Sequence, residues 1–178
     1  MPNFAANLTL LFTERPFLDR FEAAARAGFK AVEFLFPYAY DAHELRRRLD
    51  DNGLQLVLHN LPPGDWDAGE RGIACHPERV DEFRAGVARG IGYARVLGVQ
   101  QLNCLAGLAP VGVPDALLRQ TLVDNLRYAA EQFKQAGLRL LVEPINRFDM
   151  PGFYLNHTRQ AIEILDEVGA DNIYLRLC

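Results

Sequence analysis

A chain of 178 residues, with 49% hydrophobic and 24% charged residues, has the length and composition of one globular domain. Its net charge of −4 and isoelectric point near 5.6 argue against nucleic acid or an anionic membrane as the main partner, because those partners favour clustered Lys and Arg. No apolar run approaches about 20 residues, no secretory signal is apparent, and the three cysteines fit no zinc motif, so a cytoplasmic protein with reduced thiols is expected.

Strand-like and helix-like patterns alternate along the chain. Short apolar runs predict strands over Phe4–Leu8, Ala31–Phe36, Gln55–Asn60, Gln101–Leu105 and Leu138–Glu143, with a sixth strand beginning at Asn172. Helical spacing of apolar residues predicts helices from Phe17 to Gly28, Asp41 to Asn52, Pro77 to Leu97, Pro114 to Gly137 and Thr158 to Gly169. Asp41 and Thr158 are predicted to cap their helices at the amino end, and Gly53 to end a helix in a left-handed conformation.

Polar side chains lie on or near the carboxyl end of every complete strand. They are Asn7, Glu33, His59, Asn103 and Glu143. Glu143 ends a run of β-forming residues, and Pro144 forbids further ladder hydrogen bonding. Glu33 lies inside an apolar run and therefore needs a cation, a hydrogen-bond donor or a solvated cavity. Parallel sheets place their chemistry at this edge, so the five side chains are predicted to converge on one site.

The longest break in regular pattern runs from Leu61 to His76. It holds the only Trp, Trp66, together with Arg71 among glycines. A loop of this length in a compact domain is usually functional, so it is interpreted as a loop that covers substrate, with a surface Ω-loop as the alternative.

The alternation of strands and helices predicts an α/β fold with a parallel sheet. No Gly-x-Gly-x-x-Gly fingerprint or phosphate loop follows a strand, and the convergent strand ends favour a TIM barrel over an open nucleotide-binding sheet. A complete barrel needs about 250 residues. The chain is therefore expected to be one partial TIM-barrel domain over residues 1–178, with five strand-helix units and part of strand six.

At the level of longer segments the sequence resembles the hydroxypyruvate isomerase family of xylose isomerase-like TIM barrels. The matching segments are Phe4–Leu8, Val32–Tyr38, Leu58–Cys75, Asp124–Ala130 and Glu143–Phe153. The segment Leu58–Cys75 is by far the most specific of these. The resemblance covers nearly the whole chain, to about Leu175.

The resemblance implies a divalent metal at the barrel mouth, flanked by two acid/base glutamates. Glu143 matches the first glutamate and a metal ligand, and its carboxylate suits Mg²⁺ or Mn²⁺. The second glutamate and the other ligands belong to later strands. An aspartate ligand is expected at the place of Cys178, and the departure over Arg176–Cys178 suggests a frameshift or a truncated gene model, with a shortened paralogue as the alternative.

The implied reaction interconverts hydroxypyruvate and 2-hydroxy-3-oxopropanoate in glyoxylate metabolism, with Glu143 as acid/base. Asn7, Glu33, His59 and Asn103 are candidate substrate ligands, with a structural hydrogen-bonding role as the alternative for His59. Arg71 is a candidate clamp for the carboxylate of the small hydroxy- or oxo-acid substrate.

Three alternatives remain open. They are a 2-oxo-tetronate isomerase of the same family, a repair endonuclease on the same barrel, which the acidic charge disfavours, and an inactive fragment that binds sugar acids. An incomplete barrel leaves two open sheet edges, so homo-oligomers or aggregates are expected.

Overall fold

In the computed structural model, which describes residues 3–177, six parallel strands alternate with five α-helices. The strands are β1 (Ala5–Asn7), β2 (Ala31–Glu33), β3 (Gln55–Asn60), β4 (Gln101–Cys104), β5 (Arg139–Val142) and β6 (Ile173–Leu175). The helices are α1 (Arg20–Arg26), α2 (Ala42–Asp51), α3 (Val80–Leu97), α4 (Asp115–Gln135) and α5 (Thr158–Val168). Short 3₁₀-helices over Phe17–Asp19 and Pro77–Arg79 lead into α1 and α3.

The helix ends follow the chemistry of their terminal residues. The Asp41 carboxylate accepts hydrogen bonds from the backbone N–H groups of His43 and Glu44, both at 3.0 Å, which confirms the predicted cap of α2. The prediction for Thr158 was wrong, because His157 occupies the N-cap position of α5 and makes no side-chain capping bond. The left-handed stop predicted at Gly53 is confirmed by its φ of 61°.

The strands are hydrogen-bonded in their sequence order, β1 to β6, with every pair parallel. An open nucleotide-binding sheet would reverse its strand order at a switch point. Sequential order instead keeps all crossover helices on one face of the sheet and leaves the other face as the inside of a barrel wall. The predicted parallel α/β fold of the TIM-barrel type is confirmed.

The core lies between the sheet and the helices. Alternate strand residues such as Leu102, Leu140 and Val142 are fully buried, and they face the apolar sides of the helices. The largest buried side chains supplied by the helices are Phe21, Leu45, Leu49, Leu97, Leu122, Leu126 and Phe133. Cys75 and Cys104 are buried free thiols that pack as small hydrophobic residues, whereas Cys178 lies outside the described residues.

One irregularity decides which side chains reach the inner face. Val32 pairs with Leu56, but the next residue, Glu33, pairs with Leu58, so the register shifts by one residue between β2 and β3. A shift of one residue exchanges the two faces of a strand. The end of β3 therefore presents Asn60 to the same face as Glu33.

Candidate active site

Six polar side chains form a connected network, the strand-end network, across the inner face of the sheet. Each of the six strands supplies one of them. The members are Asn7, Glu33, Asn60, Asn103, Glu143 and Arg176, each within one residue of the end of its strand. Hydrogen bonds and ion pairs link them in the order Asn7, Glu33, Arg176, Glu143, Asn103 and Asn60. The predicted convergence of strand ends thus brings together four of the five predicted strand-end residues.

Glu33 finds the donor and the cation that its position requires. Asn7 Nδ2 donates to Glu33 Oε1 at 2.9 Å, and the Asn7 Oδ1 atom accepts from the Thr9 N–H at 3.0 Å, which fixes the orientation of the amide. Arg176 Nη2 lies 3.1 and 3.3 Å from the two Glu33 oxygens. Because Arg176 follows β6 and Glu33 ends β2, this contact shows that the sheet curves around a common interior.

Glu143 follows the last residue of β5 and is mostly enclosed, with 13% of its side chain exposed. Asn103 Nδ2 donates to Glu143 Oε2 at 3.5 Å, and Arg176 Nε lies 3.9 Å from the same oxygen. Both contacts are long, so the carboxylate is held loosely and its other oxygen remains available. A loosely held carboxylate among amide donors suits a group that must exchange a proton with a bound molecule.

The side-chain oxygen of Asn103 accepts a hydrogen bond from no described residue. Its side chain is fully buried, and its Nδ2 is shared between Asn60 Oδ1, at 3.3 Å, and Glu143. Its Oδ1 atom makes no hydrogen bond. An unsatisfied buried acceptor costs about 1–3 kcal/mol. This oxygen, next to Glu143, is thus suited to a ligand that donates a hydrogen bond or to a cation.

His59 lies away from this cluster. Alternation along β3 turns it to the face opposite Asn60, where it packs edge-on against the Tyr38 ring with centroids 6.0 Å apart. Its Nδ1 donates to the Asn60 carbonyl at 3.0 Å, and that carbonyl also accepts from the Tyr38 hydroxyl at 2.7 Å. The placement favours a supporting role for His59, behind Asn60, over the predicted contact with substrate.

Burial of His59 has a consequence for stability. Desolvation lowers the pKa of His59 to about 4, although the hydrogen bond to Asn60 opposes this shift, so the folded protein holds a neutral ring above pH 5. The unfolded chain, with an ordinary pKa near 6.5, takes up a proton as the pH falls below that value. Stability is therefore greatest above pH 6.5, and we expect a loss of about 2 kcal/mol between pH 7 and pH 5 from this group.

Urea unfolding at pH 7, 6 and 5 measures this loss. The variant His59→Gln should lack that part of the pH dependence, whereas His43→Gln, at an exposed position of α2, should retain it. Equal pH dependence in the parent and in His59→Gln would contradict the neutral, buried histidine.

The long loop over residues 61–76 is fixed to the rest of the domain at its second half. Gly72 forms a β-bridge with Ala106, the Cys75 N–H donates to the Ala106 carbonyl at 2.8 Å, and buried Asn125 donates to the Ala74 carbonyl at 2.9 Å. The Trp66 ring packs on Phe36, just beyond β2, with centroids 4.8 Å apart. The loop therefore stands as a wall beside the carboxyl ends of β2 and β3.

Arg71 belongs to this wall. Within residues 3–177 it makes no hydrogen bond or ion pair with any of the six strand-end side chains. Its guanidinium lies over the Trp66 ring at 4.1 Å, and its Nη1 donates to the carbonyls of Trp66 and Glu70 at 3.0 and 2.7 Å. Its Nε and Nη2 donors are not engaged by described residues. The guanidinium is thus oriented by the loop and retains donors for an anion.

The described residues offer few donors for a divalent metal. Within residues 3–177, no three His, Cys, Asp or Glu side chains lie close enough together to hold a metal ion. Glu143 offers one carboxylate oxygen of the kind that Mg²⁺ and Mn²⁺ prefer, and the free Asn103 Oδ1 is a second oxygen donor beside it. The described residues therefore fit part of an oxygen-ligand site and do not complete it. Cys178, where the resemblance predicts an aspartate ligand, lies outside the described residues.

Comparison with known proteins places the chain in a family. Residues 21–178 match the family described as xylose isomerase-like TIM barrel. The chain belongs to this family. Its sequence is 54% identical to hydroxypyruvate isomerase of Escherichia coli over 176 residues, which is 99% of this chain and 68% of that protein. It is 50% identical to a 2-oxo-tetronate isomerase of Cupriavidus necator, covering 97% of this chain and 66% of the relative. The predicted membership of the hydroxypyruvate isomerase family is confirmed, and the chain spans about two thirds of the length of these relatives.

Solved structures agree with this family assignment. A crystal structure described as AP endonuclease, family 2 from Brucella melitensis superposes with a TM-score of 0.96 at 43% identity, covering 99% of this chain and 68% of that one. An L-ribulose 3-epimerase superposes at 0.69 with 27% identity, covering 89% of this chain and 54% of that one. The curated relatives are isomerases by name, in line with the predicted enzyme class. Separately, no described helix has the length and apolarity needed to cross a membrane.

Three residues that shape the site were not among the predicted site residues: Tyr38, Asn60 and Arg176. Asn60 is next to His59, and only the register shift in β3 reveals which of the two faces inward. Tyr38 lies outside the regular elements and reaches β3 through its hydroxyl. Arg176 lies in the segment that departs from the family pattern, so the resemblance gave no signal for it.

Proposed function

We propose that the protein to which this chain belongs interconverts hydroxypyruvate and 2-hydroxy-3-oxopropanoate. The observation that carries the proposal is the position of Glu143 on the inner face of a barrel wall, in a chain 54% identical to a hydroxypyruvate isomerase. This carboxylate is enclosed, lies beside amide and guanidinium donors, and retains an oxygen that no described donor engages.

The reaction moves one hydrogen from C3 to C2 and one proton from the C3 oxygen to the C2 oxygen. In the proposed reaction Glu143 removes a proton from C3 of hydroxypyruvate, which is acidified by the C2 carbonyl, and the electron pair forms an enediolate across C2 and C3. Return of a proton to C2, together with transfer of the C3 hydroxyl proton to the C2 oxygen, gives 2-hydroxy-3-oxopropanoate. Asn103 and Arg176 lie beside Glu143 and, with Asn7 and Glu33, can orient the substrate's hydroxyl and carbonyl oxygens.

We propose Mg²⁺ or Mn²⁺ as the cofactor, with Glu143 as one ligand. Such a cation stabilises the negative charge of an enediolate. The free Oδ1 of Asn103 supports a cation or a hydrogen-bond donor in this region. Arg71, with two donors directed to no described partner, is proposed to bind the substrate carboxylate.

Exchange of hydrogen for deuterium tests the proposal at its first step. Incubation of the chain with hydroxypyruvate in D₂O should place deuterium at C3 faster than in buffer alone, as followed by proton NMR. Formation of 2-hydroxy-3-oxopropanoate should accompany it. Exchange at the buffer rate, with carboxylate binding retained, would instead identify the chain as an inactive binding fragment.

A 2-oxo-tetronate isomerase is the second candidate, favoured by 50% identity to the Cupriavidus necator protein. The same assay with the four-carbon acid separates the two, because the true substrate should show the higher kcat/KM. We further propose a cytoplasmic protein in glyoxylate metabolism that forms homo-oligomers. Its buried free thiols support a reducing compartment, and the outer edges of β1 and β6, which pair with no described strand, support self-association.

A further inference from the structure

Glu70 lies next to Arg71 in the loop wall, but its carboxylate faces the loop's own backbone. Its Oε2 accepts a hydrogen bond from the Asp65 N–H, and the Glu70 N–H donates to the Asp65 carbonyl at 2.9 Å. A side chain at Gly64 would collide with the same carboxylate. Glu70 therefore closes the turn over residues 65–70, which includes Trp66.

This turn fixes the surroundings of the Arg71 guanidinium. The Trp66 carbonyl, which accepts from Arg71, also accepts from the Gly69 N–H at 3.1 Å within the closed turn. The Trp66 ring, on which the guanidinium lies, projects from the same turn onto Phe36. Both groups that orient Arg71 thus depend on the closure made by Glu70.

Arg79 connects the turn to a rigid helix. It forms an ion pair with Glu70 through Nη1, and its Nε and Nη2 each lie 2.7 Å from a Glu82 oxygen in the first turn of α3. The pairing with Arg79 is the largest influence that holds the pKa of Glu70 below its ordinary value, and the carboxylate is charged at neutral pH. Arg79 directly precedes α3, so its backbone alone connects it to the helix, and a continuous path runs from α3 through Arg79 and Glu70 to Arg71.

We infer that Glu70 and Arg79 are positioning residues that hold the Arg71 guanidinium in place for the carboxylate of a small hydroxy acid. The inference rests on the proposed function, because it assigns Arg71 to the substrate carboxylate. It goes further by treating the loop as a prebuilt subsite instead of a cover that closes on the substrate. Preorganisation of this kind increases affinity because little ordering remains to be done on binding.

The single Trp of the chain gives a direct measurement, because an anion that binds Arg71 changes the surroundings of the Trp66 ring. Trp66 fluorescence is titrated with glycerate, an unreactive three-carbon hydroxy acid, and with glycerol, which has the same skeleton without the carboxylate. Glycerate should give a saturable change, and glycerol should give none over the same concentrations.

The variant Glu70→Gln should raise the Kd for glycerate about fivefold, the effect of losing roughly 1 kcal/mol from a partly exposed ion pair. Glu82→Gln is the matched control, because it removes the other carboxylate partner of Arg79 without touching the loop. Its Kd should stay within about twofold of the parent. Arg71→Lys should weaken binding more than either variant, since lysine lacks the planar fork of donors.

The outcomes separate this inference from the function on which it rests. A parental Kd in Glu70→Gln, or equal weakening in Glu82→Gln, would overturn the positioning role and leave the carboxylate subsite standing. A parental Kd in Arg71→Lys would overturn the carboxylate subsite and this inference with it, whereas the proposed isomerase activity, which rests on Glu143, is tested separately by deuterium exchange at C3.

Discussion

The substitution Glu143→Gln should lower the rate of hydroxypyruvate isomerisation by about a thousandfold, the usual scale for removing a general base. Glutamine keeps the shape of the side chain, and its carbonyl oxygen can still accept from Asn103 Nδ2. What it loses is the ability to take up the C3 proton and the negative charge with which Glu143 would bind a divalent cation. The fold should be unaffected, because the contacts of the Glu143 carboxylate with Asn103 and Arg176 are long, at 3.5 and 3.9 Å.

Deuterium exchange at C3 measures the expected loss of rate, and thermal unfolding measures the expected retention of the fold. Glu131→Gln, at an exposed position of α4, serves as the control and should leave both quantities unchanged. Glu33→Gln tests how far the effect is specific, because Glu33 is held by Asn7 and Arg176 and is proposed only to orient substrate. A rate in Glu143→Gln close to that of the parent would remove Glu143 from the chemistry.

Most of the fold could be predicted from the sequence because its determinants are local. Apolar spacing distinguishes α3 and α4 from the strands, and Asp41 and Gly53 act through their own side chain or backbone. The predicted boundaries were less accurate where tertiary contacts decide them. The strand predicted to Phe36 ends at Glu33, although backbone hydrogen bonds to β3 continue as far as Leu35.

Part of the site could also be predicted, because a parallel sheet fixes where its strands end. Parallel strands bring their carboxyl ends to one edge, so Asn7, Glu33, Asn103 and Glu143 could be grouped from their positions alone. Asn60 and not His59 faces inward because of the pairing of β3 with its neighbouring strands. The sequence of β3 alone does not indicate this orientation. The arrangement of Arg71 on Trp66 depends on the folded path of an irregular loop, which periodicity does not describe.

Replacement of Gly72 by alanine should cause the largest loss of stability. Gly72 has a φ of 108°, and an added Cβ would lie 2.6 Å from the Cβ and 2.8 Å from the carbonyl carbon of Leu105, and closer still to its carbonyl oxygen. Gly107 faces the same contact from the other side, since its own added Cβ would lie 2.5 Å from the Gly72 oxygen. Two segments of backbone therefore meet here with no room for a side chain.

The expected loss is about 4 kcal/mol in the free energy of unfolding, the sum of about 1–3 kcal/mol of backbone strain and about 1–3 kcal/mol of overpacking. Gly69→Ala is the matched control. It lies in the same loop with a φ of 96°, but an added Cβ there would meet no atom within 4 Å, so only the strain should remain. Urea unfolding of the two variants measures the difference.

The comparison of these two glycine variants also tests whether the loop over residues 61–76 is fixed in the native state or moves. If the contact between Gly72 and Leu105 is a permanent part of the native state, its disruption must appear in global unfolding, and Gly72→Ala must be clearly less stable than Gly69→Ala. Equal losses would mean that the segment separates from the strand-end loop at little cost. The loop would then act as a mobile cover, and the guanidinium of Arg71 would be positioned only after substrate had bound.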